Sequence, residues 1–568
     1  MVGRLFFAGV AALALAAPFE LSAPLLRLPQ QSVSNLEAAV MCAFVCAAVA
    51  VIWSRRLPDW RTPLTPPWIA LLLAMVVAAA VSPVSRLNAL HMTGRLTAAF
   101  GVYLLAANGT TTFARLRSAL SLAVAAGVLV SLLAMLEYRG VRPVLTVLTA
   151  FRPAVSTVGA QVRAGGPLQY PTIASMYLEV VFAFGLGLML AALDAGRPAR
   201  VAGFFIALVI IAEGITLTFT RAGLITMATS LLLVGAGYRL RQSRGAGAAI
   251  VASLGVVIVL LWAGSRSASS MWLRLTSEGQ ESWYRASVSA PSELELHTGR
   301  QSTVPIAVTN TGRLAWDSQA VPPMLLSYHW LEAAGDRVVT FEGQRTPFAE
   351  PVVPDATASV MAQVRAPRKP GRYRLEWDLV QEGRLWFSTE PGATRTLSRA
   401  IVAGDPYDGP VSSLPPPRPT VRPGRLQLWR AAWRMFAAHP IAGVGPDNFR
   451  LAYGRYLGLD RTDERTHSNN MYVEMLAGGG LLVAAAFVWL AWRSAACALA
   501  LAAAAPDVGG AGAALALGLS AAIVAIGVHA SVDSFLSFAP TYVLFALTLG
   551  CATACARRLE IRPDAHRV

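Results

Sequence analysis

With 568 residues, 55% of them hydrophobic and only 14% charged, and a mean hydropathy of +0.51, the chain is too apolar for a soluble globular protein, which carries about 25% charged residues. Lys and Arg outnumber Asp and Glu by 48 to 32, giving a net charge of +16; these basic residues follow the apolar segments, so they speak for membrane orientation rather than for nucleic acid. The five cysteines all lie in apolar segments, which argues against a disulfide framework or a cysteine metal cluster.

A bilayer core needs about 20 mostly apolar residues per helix. That rule predicts a polytopic α-helical membrane protein with helices near 3–19, 36–53, 67–83, 88–107, 115–136, 171–193, 201–219, 222–238, 247–264, 470–492, 510–530 and 534–555, about twelve in all. The first has the look of a signal peptide, but the apolar segments that follow make it the first transmembrane helix. The fourth is the least apolar because it holds His91 and Arg95. Orientation follows from Arg in short loops. With the N-terminus inside, the inner loops hold Arg55, Arg56 and Arg61, then Arg115 and Arg117, Arg197 and Arg200, Arg239, Arg241 and Arg244, Arg493, and Arg557 and Arg558. The short connections at 84–87, 220–221 and 531–533 are poor in Arg and fall outside. Both ends are then expected in the cytoplasm.

Two outside segments are long. Residues 137–170 mix Arg139, Arg142, Arg152 and Arg163 with apolar residues and a Gly-Gly-Pro break, and read either as an interfacial, partly helical loop or as a solvated connector. The other segment follows the helices of 1–264. After a linker at 265–286, residues 287–403 change to short alternating runs split by turns such as Asn310-Thr311-Gly312 and Lys369-Pro370-Gly371. Seven or eight such runs predict an antiparallel β-sandwich, a binding or spacer module without a catalytic cluster. NTGRLAW (310–316) and PGRYRLEWDLVQEG (370–383) resemble immunoglobulin-like modules at the level of fold. A Pro-rich tether at 404–424 leads to an amphipathic helix and loop at 425–469, and then to the last helices and a tail at 470–568.

The stretch 425–480 carries the chemistry. RLQLWRAAWRMFAAHPIAGVGPDNF (425–449) is an Arg and Trp helix followed by His-Pro and Gly-x-Gly-Pro. HSNNMYVEMLAGGGLL places His467 ten intervening residues before Gly478, and TRAGLI (220–225) places Arg221 at the outer end of a helix. In this order the three features resemble the shared core of the O-antigen ligase and O-antigen polymerase family, bacterial inner-membrane proteins that move glycans from undecaprenyl pyrophosphate on the periplasmic face. The β-sandwich is not part of that family's usual pattern.

The resemblance implies that Arg221 and Arg425 bind the donor pyrophosphate. Guanidinium groups stay charged, form forked hydrogen bonds to phosphate oxygens and stabilise the charge that develops on the leaving group. An Arg at a membrane boundary also snorkels to headgroups, which is the blander reading of Arg221. Spacings of five and four put Arg425, Arg430 and Arg434 on a broadly shared side, with Arg430 and Arg434 as further substrate contacts. An Arg face meeting anionic lipid explains the same helix without chemistry. His467 is the candidate general base, because a neutral imidazole accepts a proton near neutral pH. Asn469 and Asn470 stand beside it; Asn470 either orients the imidazole or caps the next helix. Gly478 is grouped with the substrate-binding residues, and Gly445 offers a backbone N–H for a phosphate. His529 and Asp533 lie close enough in the sequence to form a supporting network. No metal and no cofactor is expected.

These readings converge on a metal-independent, inverting glycosyltransferase. Its expected partners are an undecaprenyl-pyrophosphate-linked glycan donor, a lipid A-core or growing-glycan acceptor, and membrane lipid. Ligation, polymerisation and protein O-glycosylation share this chemistry. A transporter of lipid-linked glycans calls for polar residues deep in several helices, and beyond His91, Arg95, Glu179 and Glu213 few are found. A scaffold presenting the sandwich leaves the Arg and His pattern unexplained.

Overall fold

The computed structural model describes residues 2–28, 31–55, 57–152, 156–158, 161–241, 245–264, 283–319, 323–382, 385–390, 393–406, 423–459, 462–503 and 510–559. Most of the expected linker at 265–286, most of the Pro-rich tether at 404–424 and the last residues of the tail lie outside these.

Each apolar stretch forms a helix. In chain order these are α1 (Val2–Ala16), α2 (Asn35–Ser54), α3 (Thr65–Ala80), α4 (Arg86–Gly109), α5 (Phe113–Tyr138), α7 (Pro171–Asp194), α8 (Pro198–Leu217), α9 (Arg221–Arg241), α10 (Ala246–Ala263), α13 (Met471–Ala502), α14 (Gly510–His529) and α15 (Ala539–Arg558), with shorter α6 (Arg142–Leu148), α11 (Arg425–Ala438) and α12 (Phe449–Leu457) between them. Among the described residues, 9 of these helices are long and apolar enough to cross a membrane: α2, α5, α7 to α10, and α13 to α15. The chain is therefore a multi-pass helical membrane protein. α1 and α3 are apolar but shorter. α4 holds His91 and Arg95, and Arg95 pairs with Glu37 of α2 at 3.5 Å.

Burial separates centre from rim. The spans of α15, α7 and α14 are 100%, 94% and 83% buried, whereas α2 and α10 bury 22%. α7 and α14 cross at Gly187 and Gly518, where a Cβ on Gly518 would stand 2.8 Å from both the Ala183 carbonyl oxygen and the Gly187 Cα. Without a hydrophobic force between helices in lipid, such small-residue contacts let dispersion hold the backbones together.

Residues 137–170 are not a loose connector. They fold into α6 and an antiparallel hairpin of β3 (Ser156–Val158) and β4 (Gln161–Arg163). The anchor is Glu137, buried at the end of α5. Its carboxylate accepts hydrogen bonds from Arg152 and from the N–H groups of Gly165 (3.1 Å) and Gly166 (2.9 Å). A buried carboxylate persists only with such partners. A second small hairpin, β1 (Leu26–Leu28) with β2 (Gln31–Val33), lies between α1 and α2.

The inserted segment is a separate two-sheet domain. β5 (Ala286–Ser289), β7 (Gln301–Asn310) and β10 (Thr357–Arg365) form one sheet, in the order β10-β7-β5. The other runs β6-β13-β11-β8-β9, from β6 (Glu293–His297), β8 (Met324–Glu332), β9 (Val338–Thr340), β11 (Gly371–Gln381) and β13 (Thr396–Ala403), with β12 (Leu385–Trp386) paired to β11. Both sheets give side chains to one core: Val304, Ile306 and Val364 from the first, and Trp330, Leu375 and Val402 from the second. The expected all-antiparallel sandwich needs one correction, because β13 and β6 run parallel, from Arg399↔Glu293 to Ala403↔His297. The Asn-Thr-Gly turn is held by Asn310. Its Nδ2 donates to the carbonyls of Leu314 (2.8 Å) and Val352 (2.9 Å), and its Oδ1 accepts from Gly312 N–H at 3.0 Å.

The domain meets the helices beside the α8–α9 turn. Phe219, fully buried in that turn, belongs to the same apolar cluster as Trp283 and Tyr284 of the insert. Arg221 is two residues further on.

Candidate active site

The sequence after the insert builds a short surface layer and threads it into α13. Leu428, Ala431, Ala432 and Met435 form the buried stripe of α11, packed with Val444, Phe449 and Tyr453. The segment 440–445 then runs beside 477–482. Val444 and Gly445 N–H donate to the carbonyls of Ala477 (3.0 Å) and Gly478 (2.7 Å), and Leu481 and Leu482 N–H donate to those of Pro440 (2.8 Å) and Ile441 (3.1 Å). α13 can accept these outside partners because Gly480 breaks it, with φ 60 and ψ −159. That conformation is essentially restricted to glycine. A Cβ there would also stand 2.5 Å from the Ile441 carbonyl. Gly480→Ala is therefore expected to cost on the order of 1–3 kcal/mol, read as a lower melting temperature of the detergent-solubilised protein. An unchanged melting temperature would refute the stitched-break account.

This pairing answers two expectations. Gly445 N–H is already committed to Gly478, so it is not offered to a phosphate. Gly478 meets the loop backbone rather than open space, and a Cβ on it would stand 3.2 Å from the Gly445 carbonyl oxygen.

His467 stands just before α13, and its Nδ1 is 2.7 Å from Oε1 of Glu474 in the first turn of that helix. Glu474 Oε2 accepts from both Ser468 N–H (3.1 Å) and Ser468 Oγ (2.9 Å). Trp429 of α11 donates its indole N–H to the Ser468 carbonyl at 3.1 Å, and the Phe538 ring meets the imidazole edge-on at 5.9 Å. Burial pulls the His467 pKa down, but the Glu474 carboxylate, with Asp447 and Asp533 beyond it, more than reverses this and raises it to about 9. The imidazole is thus cationic at neutral pH. Asn470 is the α13 N-cap: its Oδ1 accepts from Val473 N–H at 3.0 Å and its Nδ2 donates to the Ser531 carbonyl at 2.8 Å. Both ends of its amide are used in holding the helix. Asn469 turns the chain with φ 54.

Asp447 closes the other side. Its Oδ2 accepts from Arg450 Nε (2.9 Å) and Asn88 Nδ2 (3.1 Å). Asn88 also donates to Asn448 Oδ1 at 2.9 Å, and the buried Asn448 donates to Ser82 Oγ at 2.9 Å. The loop is thereby fixed to the α3–α4 turn. Asp447, His467 and Glu474 each bring a donor atom within 4.8 Å of the others, a spacing able to hold a metal ion. Here those carboxylates are occupied by the imidazole, Ser468, Arg450 and Asn88.

Arg221 starts α9 and lies within the field of Arg425 at the start of α11. Arg425 in turn acts on His529 and Asp533, and Asp533 acts on His467. Three residues singled out from sequence for catalysis are therefore gathered into one charged cluster. His529 Nδ1 lies 2.8 Å from Glu179 Oε2, which also accepts from Thr226 Oγ1 at 2.7 Å. This carries the network down into α7 and α9. Burial pushes the Asp533 pKa up, opposed by the nearby charges of His529, His467 and Arg425. Arg163 of β4 adds another cation by donating to the Thr218 carbonyl (2.9 Å) and Thr220 Oγ1 (3.3 Å) just before Arg221.

Arg430 and Arg434 do not share the side of Arg425. At about 100° per residue they sit about 140° and 180° around the helix from it. Arg434 instead donates to the Tyr456 carbonyl at 2.7 Å. The shared-side expectation is corrected on this point: the five-residue step carries Arg430 away, and the next four-residue step keeps Arg434 with Arg430.

Backbone strain marks the same region. The described non-glycine residues with positive φ are Arg55, Phe219, Asp355, Asp447 and Asn469, and three of these adjoin Arg221 or His467. A bulky residue such as Phe219 in that region is an outlier, and strain of this kind concentrates at functional sites. Glu474, Asp447, Asn88 and Glu179 were not singled out from sequence as site residues. The signal for Glu474 was present, since a carboxylate inside an apolar helix is costly unless paired.

A comparison with curated proteins finds no match to the chain. The segment that holds α11, the stitched loop, His467 and the Gly480 break does match a family model, that of O-antigen ligase, over residues 417–488.

Proposed function

We propose that the protein transfers a glycan from undecaprenyl pyrophosphate to a sugar hydroxyl of an acceptor, at the periplasmic face of a bacterial inner membrane. The observation that carries this reading is the placement of Arg221 and Arg425 in each other's field, linked through Asp533 to His467. Two guanidinium groups that repel one another are stabilised by a shared polyanion, and a pyrophosphate fits that need.

In this mechanism His467 Nδ1 is held by Glu474, so Nε2 faces the acceptor. Once neutral, Nε2 takes the hydroxyl proton as the acceptor oxygen attacks the anomeric carbon. The new C–O bond forms as the bond from the anomeric carbon to the pyrophosphate breaks. The electron pair leaves on the pyrophosphate oxygen, where Arg221 and Arg425 stabilise it. A single displacement inverts the anomeric centre. The two-sheet domain, which we read as immunoglobulin-like, stands beside the Arg221 turn, where it can hold glycan.

The test is transfer in proteoliposomes with a purified undecaprenyl-pyrophosphate glycan, with and without lipid A-core. Glycan joined to lipid A-core is the expected product. Lengthened lipid-linked glycan without that acceptor would assign polymerisation by the same chemistry. Lipid flipping with no transfer to either acceptor would overturn the enzyme reading in favour of a transporter.

A further inference from the structure

A deep groove lies away from the charged cluster, at the opposite ends of the helices. It is formed by α5, α7 and α8 around the α7–α8 turn and encloses about 760 Å³. α8 enters the groove at its start, Arg197 and Arg200, and reaches the α9 turn near Arg221 only at its other end, Leu217. The groove therefore serves the other membrane surface and shares no residue with the Arg221, Arg425 and His467 cluster.

Its chemistry is divided along its length. Arg117, Arg197 and Arg200 stand at the mouth, and among the described residues no Asp or Glu lines the groove. Among the described residues none of these three arginines takes part in an ion pair. The body beyond them is apolar, with Val124, Val128 and Leu188 on its walls. On α5 it extends from Ala114 to Val128. At a rise of about 1.5 Å per residue, that is roughly 21 Å, about the depth of one leaflet with its headgroup layer. The groove opens sideways, since Ala114, Ser118, Ala125 and Gly203 on its edges are exposed.

We propose that this groove binds an anionic phospholipid, with one acyl chain against the apolar walls and the phosphate held by Arg117, Arg197 and Arg200. Basic residues at a membrane boundary commonly do no more than set orientation. What distinguishes this site is the joining of three such charges to a leaflet-deep apolar slot. Guanidinium groups suit a phosphodiester because they donate forked hydrogen bonds and hold their charge. A zwitterionic lipid matches the slot but brings its own cation to the mouth.

The full-length protein in detergent is titrated with phosphatidylglycerol or phosphatidylcholine of identical chains and bound lipid is counted by native mass spectrometry. Two variants accompany it. Arg117→Gln with Arg197→Gln and Arg200→Gln removes the charge. Gly203→Trp fills the slot, and a Cβ at Gly203 meets nothing within 4 Å, so the backbone tolerates it. The wild type should retain phosphatidylglycerol in preference. The triple variant should lose that preference by about five-fold per arginine. Gly203→Trp should lose both lipids while keeping the wild-type melting temperature. Equal retention of the two lipids by the wild type would overturn the proposal. So would undiminished phosphatidylglycerol binding by Gly203→Trp, or full displacement of the lipid by inorganic phosphate. The Gly203→Trp arm decides the matter even if the triple variant fails to fold.

Discussion

Replacing His467 with alanine will lower glycan transfer by about 10²–10⁴-fold, the contribution of a positioned general base. The structure adds a pH signature to that loss. The His467 pKa is raised to about 9 by Glu474, so the neutral form that accepts a proton is scarce at pH 7. The rate at low substrate should rise about tenfold per pH unit and level off near pH 9. The sign for stability is the opposite. A raised pKa means that the imidazolium–carboxylate pair contributes fully below the unfolded value of about 6.5 and is lost as pH rises through about 9. Activity should thus climb over the range in which the loop before α13 loosens. Glu474→Gln separates the two roles. It removes the charge that holds the proton, leaves burial to pull the imidazole down, and should move the rising limb toward acid pH while lowering the plateau. A pH–rate profile with the same midpoint in wild type and Glu474→Gln would show that the pair does not govern the reaction. A rate that falls through pH 9 would show that the imidazolium, not the imidazole, is the working form.

Much of the helical layout was legible because the membrane imposes one simple rule, a run of about 20 apolar residues per crossing. All the predicted stretches are helices, most with ends shifted by a few residues and the one expected at 470–492 running on to Ala502, and nine meet the criteria for a span. The strand-rich change after residue 286 was equally plain, since a period of two looks nothing like a membrane helix. The parallel pairing of β6 with β13 was not, because it joins residues about a hundred positions apart and leaves no local pattern. Motif resemblance names Arg221, Arg425 and His467 as candidates, whereas the residues around them are defined by contacts. Glu474 lies seven residues from His467, in the first turn of the next helix, and Asp447 reaches the cluster only through the stitched loop. In the Gly478-Gly479-Gly480 run the sequence points to Gly478 as a substrate contact. The run's physical meaning lies in Gly480, whose break lets the α13 backbone bond with the His-Pro and Gly-x-Gly-Pro segment. Two motifs noted separately in the sequence are thus halves of one structure.

Arg221→Ala will abolish measurable transfer, with a loss of about 10³-fold or more. Each cation at a leaving phosphate supplies charge exactly where the transition state develops it, and removing one donor to a developing oxyanion alone costs about 10²–10³-fold. Arg221 should exceed that lower figure because its surroundings hold it rigidly. The Phe219 turn is pinned by the insert's apolar cluster, and Arg163 bonds the Thr218 carbonyl and the Thr220 hydroxyl on either side of Phe219. Arg425→Ala should be milder, since that residue is exposed at the first turn of its helix and can be partly replaced by water. The pair also couples. The two guanidiniums repel each other, so removing either relieves the other, and on the proposed mechanism the double variant should lose less than the product of the single losses. Arg221→Lys discriminates charge from geometry: a lysine keeps the charge but not the forked donors, and should recover only a small part of the rate. Donor binding, followed separately by retention of the pyrophosphate lipid, should weaken less than turnover, because stabilisation that grows in the transition state acts on the chemical step. If Arg221→Ala weakens binding and turnover by the same factor, Arg221 holds the donor in its ground state only. If it changes neither, the pyrophosphate lies elsewhere and Arg221 serves the membrane boundary alone.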